Sequence, residues 1–188
     1  SGRILVDDIP VEDLNLNSLR SAIGAVPQDA FLFSDTIENN IRFGKEEASP
    51  EEVEAVAKMA VVHENIVGFA KGYQTVLGER GITVSGGQKQ RISIARALLK
   101  DPVIYLFDDC LSAVDTETEE AILANLKKAS QDKTTLIVSH RISSAIQADK
   151  IIVLDGGRIL QTGTHDELLS QEGYYKELYI SQLSEKEN

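Results

Sequence analysis

Apolar positions along this chain change period several times, and each change marks out an element. Arg3-Ile4-Leu5-Val6 is strand-like and runs into a turn at Asp7-Asp8. Asn17 to Arg20 fits a short helical turn, and Ile23 to Val26 fits a short apolar strand stopped by Pro27. Ser49-Pro50-Glu51-Glu52 predicts a helix start: Ser as N-cap, Pro at the first helical position, Glu three residues after the cap. Val53, Val56, Ala57 and Ala60 then recur at helical spacing, and Glu64 to Ala70 predicts a second short helix. Gly72, Gly78 and Gly81 interrupt the pattern before Val84-Ser85-Gly86-Gly87-Gln88, which opens a helix-like run from Lys89 to Lys100. Val103 to Phe107 is short, apolar and bounded by turn signals, as a buried strand is. Thr116 to Ala129 is helical again, with Ile122, Leu126 and Ala129 on one face and acids in the first turn. Thr134 to Val138 predicts another buried strand, ending at Ser139-His140-Arg141. Lys150 to Leu154 and Arg158 to Thr162 flank Asp155-Gly156-Gly157 as a hairpin, and Asp166 to Ser170 and Tyr174 to Leu183 predict terminal helices. Strand alternates with helix, which is an α/β signature, and a helical block sits between the first core strand and the second.

Composition narrows the picture without setting a function. With 188 residues, 42% hydrophobic and 26% charged, the chain is long enough for one domain with a substantial core. A formal net charge of −11 argues against nucleic acid as a partner. A nucleotide is not excluded, because a local phosphate site can be built from backbone N–H groups. The single cysteine, Cys110, cannot form a disulfide within the chain, which agrees with a reducing cytoplasm. No apolar run approaches the roughly 18 residues that span a bilayer, so any link to a membrane is expected through other sequence or another chain. The loop Asp29-Ala30-Phe31-Leu32-Phe33-Ser34-Asp35-Thr36-Ile37 is unusually apolar and holds two of the five phenylalanines. It is either a core-filling loop or a docking surface for a partner.

The chemistry concentrates between Val84 and Asp115. A Ser-Gly-Gly loop opening a helix leaves several backbone N–H groups unpaired at the positive end of the helix dipole, a terminus suited to phosphate. Asp108 and Asp109 follow a buried strand, where open α/β sheets keep their chemistry. In order and spacing, Ser85-Gly86-Gly87-Gln88, Val103 to Asp109 and Ser112-Ala113-Val114-Asp115 resemble the signature motif, Walker B strand and D-loop of an ABC-transporter nucleotide-binding domain. Pro27-Gln28-Asp29 through Ser34-Asp35-Thr36-Ile37, and Leu77-Gly78-Glu79-Arg80-Gly81, resemble the exporter branch in particular. The resemblance implies roles residue by residue. Gln28 matches the Q-loop glutamine that contacts metal and nucleophilic water. Ser85, Gly86, Gly87 and Gln88 match the loop that grips the γ-phosphate of ATP held by the opposite subunit. Asp108 matches the aspartate that holds Mg²⁺, Asp115 the D-loop aspartate at the dimer interface, and His140 the switch histidine.

The departures are as informative as the matches. Val84 replaces the usual leucine. Asp109 stands where the family has a glutamate polarising the attacking water, as in the degenerate site of heterodimeric exporters. It is one methylene shorter, and a misplacement of about 1 Å can cost on the order of 10²-fold in rate. Cys110 replaces a common alanine and carries no evident chemistry. No G-x-x-x-x-G-K-S/T P-loop occurs: the only Gly-Lys pair, Gly44-Lys45, is followed by Glu46, and Asn39 stands where the first glycine should be. The resemblance therefore covers nearly all of this chain but only the later two-thirds or so of the family domain, and the chain alone is expected to be inactive.

The implied fold is a P-loop NTPase (RecA-like) parallel sheet with an inserted ABC α-helical subdomain, its first part missing. Residues 1–188 would form a partial ABC ATPase domain, with the Q-loop and helical subdomain at 28–100 and the Walker B, D-loop and switch-histidine part at 101–188. By the same resemblance the strands run in the order Ile23–Val26, Val103–Phe107, Thr134–Val138, the absent P-loop strand, then Lys150–Leu154. Either Lys150–Leu154 slides over to pair with Thr134–Val138, or the gap is filled from elsewhere. The implied function is ATP binding and hydrolysis coupled to export, with ATP and Mg²⁺ as cofactors, on the cytoplasmic face of a membrane. The implied partners are a second ABC ATPase domain, a heterodimer being favoured by Asp109, and transmembrane coupling helices at the Phe31–Phe33 loop. Two other readings stand beside it: a non-catalytic regulatory ABC domain, and a soluble ABC ATPase not linked to transport.

Overall fold

The computed structural model describes residues 2–78 and 83–186, so Glu79–Gly81 of the exporter-like run lie outside the described residues. Pairing begins with a small hairpin, Leu5–Val6 (β1) against Ile9–Pro10 (β2). Its turn residues Asp7 and Asp8 both take positive φ, 49° and 64°, as a two-residue hairpin turn demands. Asn15 caps Leu16–Ala22 (α1) by accepting from the Asn17 and Ser18 N–H groups, and the chain then enters Ile23–Val26 (β3). Next come Ile37–Arg42 (α2), Pro50–Met59 (α3), His63–Val67 (α4) and Gly86–Leu99 (α5). Ser49 and Glu52 form the expected capping box at α3. The pattern predicts no element over Ile37–Arg42 and places Ile37 in the preceding loop; the stretch is helical because Thr36 caps it and Ile37 and Ile41 are buried.

Helix α5 is the centre of the first unit, which spans Ser1–Leu136. Nine of its fourteen residues are buried, so it packs on several sides at once, against α2, α3 and β3. Its own Ile92 and Ile94 are fully buried, as are Ile37 and Ile41 of α2 and Ile66 of α4. Burial of each such side chain stabilises the fold by roughly 1.5–3 kcal/mol. After α5 come Ile104–Asp108 (β4), Thr116–Ala129 (α6) and Thr134–Val138 (β5). Strand β3 runs parallel to β4 in the register Ile23↔Ile104 to Val26↔Phe107, and the three-stranded sheet has the order β3-β4-β5, as expected.

The second unit, Ile137–Asn188, contains Ile142–Ala145 (α7), Ile151–Asp155 (β6), Arg158–Gly163 (β7), His165–Leu169 (α8) and Tyr174–Lys186 (α9). Its core is Ile142, Ile151, Val153, Leu168 and Tyr175. Strands β6 and β7 form the predicted antiparallel hairpin around Gly156 and Gly157.

Two expectations need correction. Strand β5 is not buried: Leu136 is 55% and Val138 53% exposed. Among the described residues β5 is the edge of its sheet, and little among them packs over these two side chains. Nor, among the described residues, does Ile151–Asp155 slide over to pair with Thr134–Val138; the strand it pairs with is β7.

Candidate functional site

The parallel register of β3 and β4 decides what meets at their carboxyl ends. Val26 lies opposite Phe107, so Gln28 and Asp109 each stand two residues beyond a paired position. Gln28 Nε2 donates to Asp109 Oδ2 at 3.4 Å, joining residues 81 positions apart. Asp108, the last residue of β4, is exposed beside them. Asp109 takes φ 42°, left-handed backbone that is rare outside glycine and held only where the surroundings over-determine it. Ser112 supplies that constraint: its N–H (3.3 Å) and its Oγ (2.9 Å) both donate to the Asp109 carbonyl. Carboxylates and an amide oxygen at one strand-end are the hard oxygen donors Mg²⁺ prefers, so the residues present fit that ion.

A second cluster forms at the N-terminus of α5. Ser85 is the N-cap and makes a capping box with Gln88: Gln88 N–H donates to Ser85 Oγ (3.2 Å), and Ser85 N–H donates to Gln88 Oε1 (2.9 Å). The first-turn N–H groups that remain, at a helix end without Cβ atoms, suit a phosphate. Gly87 is required sterically, since a Cβ there would meet the Ala113 carbonyl oxygen at 2.6 Å. That contact presses the Ser85–Gln88 loop against the segment Asp109–Asp115. Asp115 caps α6, its Oδ1 accepting from Thr118 N–H at 3.0 Å. Hydrogen bonds from Thr118, with the nearby Arg91 charge as a smaller cause, hold its carboxyl below the usual aspartate range. Arg91 is itself anchored, Nε donating to Gly87 O (3.2 Å) and Nη1 to Val61 O.

The structure therefore gathers Gln28, Asp108 and Asp109 into one cluster and Ser85–Gln88 and Asp115 about a second, joined by residues 109–115. His140 belongs to the second unit, and its backbone carbonyl accepts from Gln182 Nε2 at 2.9 Å. The Cys110 thiol is buried and pushed up to about 12 by that burial, which keeps it protonated and unreactive.

Sequence reasoning missed Gln90, and with it the part that Ser112 of the D-loop-like run plays in tying the clusters together. Gln90 Oε1 accepts from Ala113 N–H (3.1 Å), and Nε2 donates to Ser112 Oγ (3.3 Å). No local signal marks Gln90: Gln88 is a second amide close by, and its neighbours one turn away are Gly86, Gly87, Ser93 and Ile94. The phenylalanine loop also has a member that was missed. Phe31 meets Phe33 edge-on at 5.1 Å, and Phe33 meets Phe43 at 4.7 Å. Phe31 is 63% and Phe43 64% exposed, which favours a docking surface over core filling. Arg96 supports the three from beneath. Its Nε donates to Asn40 O (2.8 Å), Nη1 to Phe31 O (3.0 Å) and Nη2 to Asn40 Oδ1 (3.1 Å), with its guanidinium over the rings of Phe33 and Phe43.

Comparison with known proteins places this geometry in context. Residues 1–112 match the family model described as ABC transporter. The chain is 48% identical over 182 residues to the putative multidrug export ATP-binding/permease protein YgaD of Bacillus subtilis, covering 97% of this chain and 31% of that protein. It is 48% identical over 183 residues to the mitochondrial iron-sulfur clusters transporter ATM1 of Gibberella zeae, covering 96% of this chain and 26% of that protein. Among solved structures, a bacterial Atm1-family ABC exporter with ATP bound superposes with a TM-score of 0.92 at 45% identity, over 97% of this chain and 32% of that one. The chain thus spans about a third or less of the length of the relatives it matches.

Proposed function

Since this chain belongs to the ABC transporter family, we propose that it is the later part of an ATP-binding and ATP-hydrolysing domain that powers export across a membrane. The observation that carries the reading is the Gln28–Asp109 contact at the carboxyl ends of two parallel strands, with Asp108 adjoining. In this reading Asp108 and Gln28 hold Mg²⁺, which neutralises phosphate charge when bound. Asp109, held by Gln28 and Ser112, occupies the position of the water-polarising acid one methylene short, and so limits turnover at this site. Ser85, Gly86, Gly87 and Gln88 bind the γ-phosphate of a nucleotide carried by a second ATPase domain, and Asp115 reaches toward that domain. By the same resemblance His140 acts as the switch histidine that touches a γ-phosphate. The partner domain is a different chain rather than a second copy, because aspartate at 109 suits an asymmetric pair of sites. Phe31, Phe33 and Phe43 receive the coupling helices of the transmembrane part. The domain works on the cytoplasmic side, and the open edge of β5 takes a strand from outside these 188 residues, which lack a P-loop of their own.

The test is steady-state phosphate release by the full-length protein with its partner. Asp108→Asn is expected to bring Mg-ATP hydrolysis at this site to background. Asp109→Glu is expected to raise it, by restoring the missing methylene. A rate that ignores both substitutions refutes a catalytic role and supports the regulatory reading.

A further inference from the structure

We propose that Gln90 is a positioning residue that locks the loop 109–115 to helix α5, so that the acid at Asp109 and the phosphate loop Ser85–Gln88 move as one body. This role rests on the ATPase reading above.

The direction of every bond in the link follows from its chemistry. Gln90 is 5% exposed, so its amide has little water to pair with and must use the protein. Ala113 N–H can only donate, which forces Gln90 to present Oε1 to it (3.1 Å). The Nε2 donor must then face Ser112 Oγ (3.3 Å), and that oxygen must accept. The Ser112 hydroxyl proton is thereby sent the other way, to the Asp109 carbonyl at 2.9 Å. One amide thus sets the orientation of the serine, and the serine holds the Asp109 carbonyl in a turn with φ 42°. Asp109 in turn is the residue whose Oδ2 takes the Gln28 amide.

The same side chain fixes the distance to the phosphate loop. Gln90 sits one helical turn after Gly87, and Ala113, bonded to Gln90 through its N–H, lays its carbonyl against Gly87. A movement of either loop must break the Gln90 bonds or carry the other loop with it. Without the amide, Ser112 loses the donor that directs its hydroxyl proton toward Asp109, and the left-handed turn loses a support. The acid would then drift from the Gln28 amide while the bulk of the fold stayed in place.

The test uses the full-length protein with its partner and three variants: Gln90→Met, Ser112→Ala and the double variant. Gln90→Met keeps length and volume and removes both bonds. Each single variant is expected to lower kcat about tenfold with KM for ATP within about twofold, because orientation at the reacting centre is lost rather than nucleotide binding. The double variant is expected to be no slower than the slower single one, since both break the same chain of bonds. Losses that multiply in the double variant, a raised KM with kcat unchanged, or a kcat equal to wild type each overturn the proposal. If Gln90→Met does not fold, Ser112→Ala decides alone by the same kcat and KM criteria. A wild-type protein that hydrolyses no ATP overturns the functional reading and this role with it. A wild type that does, with variants that match it, overturns this role only.

Discussion

Two adjacent glycines at the start of α5 are predicted to respond oppositely to the same substitution. An alanine Cβ at Gly87 would meet the Ala113 backbone oxygen at 2.6 Å, whereas one at Gly86 meets only the Ala113 Cβ at 3.5 Å, an ordinary contact. Relief at Gly87 needs a displacement of about 0.8 Å, and the obstacle is backbone whose N–H is already pinned by Gln90. Overpacking of this kind costs about 1–3 kcal/mol. Better helix propensity returns up to about 1 kcal/mol, at either site. Gly87→Ala should therefore destabilise by up to about 2 kcal/mol and lower Tm by up to about 8 °C for a chain of this size. Gly86→Ala should leave Tm unchanged or slightly raised. Thermal melting followed by circular dichroism distinguishes them. In the full-length protein, Gly87→Ala should also cut ATP hydrolysis by about 10- to 100-fold, because the displaced segment leads to Asp109. Equal melting temperatures for the two alanine variants would refute the packing of this loop against Ala113.

Ser49→Ala removes the acceptor for the Glu52 N–H and half of a capping box, and should cost about 1 kcal/mol, read from the urea midpoint at unchanged slope. Several carboxyls titrate below their ordinary range in the folded chain: Asp35 through hydrogen bonds from Asn39 and Thr36, Glu52 through Lys45, and Asp115 through Thr118. Groups with depressed folded pKa values contribute stability that is complete above the unfolded value, near 4, and is lost as pH falls through the lower folded value. The denaturation midpoint should thus be flat above about pH 5 and decline below about pH 4; a midpoint that rises on acidification would contradict these pairings.

Much of this protein was legible in the chain itself. Helix α6 and strand β5 occupy the stretches predicted for them, Thr116–Ala129 and Thr134–Val138, because caps, turns and periodicity are local. The capping boxes at Ser49 and Ser85 were written in residues three apart. The candidate residues of the first unit were also visible, since Ser85–Gln88, Asp108, Asp109 and Asp115 lie within one contiguous stretch. What only the tertiary structure decided depends on contacts between distant positions. Helix α2 carries two asparagines that disfavour a helix, yet Asn40 is buried and bonded to Phe33 and Arg96, 56 residues away. The 3.4 Å approach of Gln28 to Asp109 is a product of strand register. Gln90 looks like any surface amide until the loop 109–115 folds over it. Strand β5 has the composition of a buried strand but is exposed, because burial is a property of neighbours and its own residues cannot supply them.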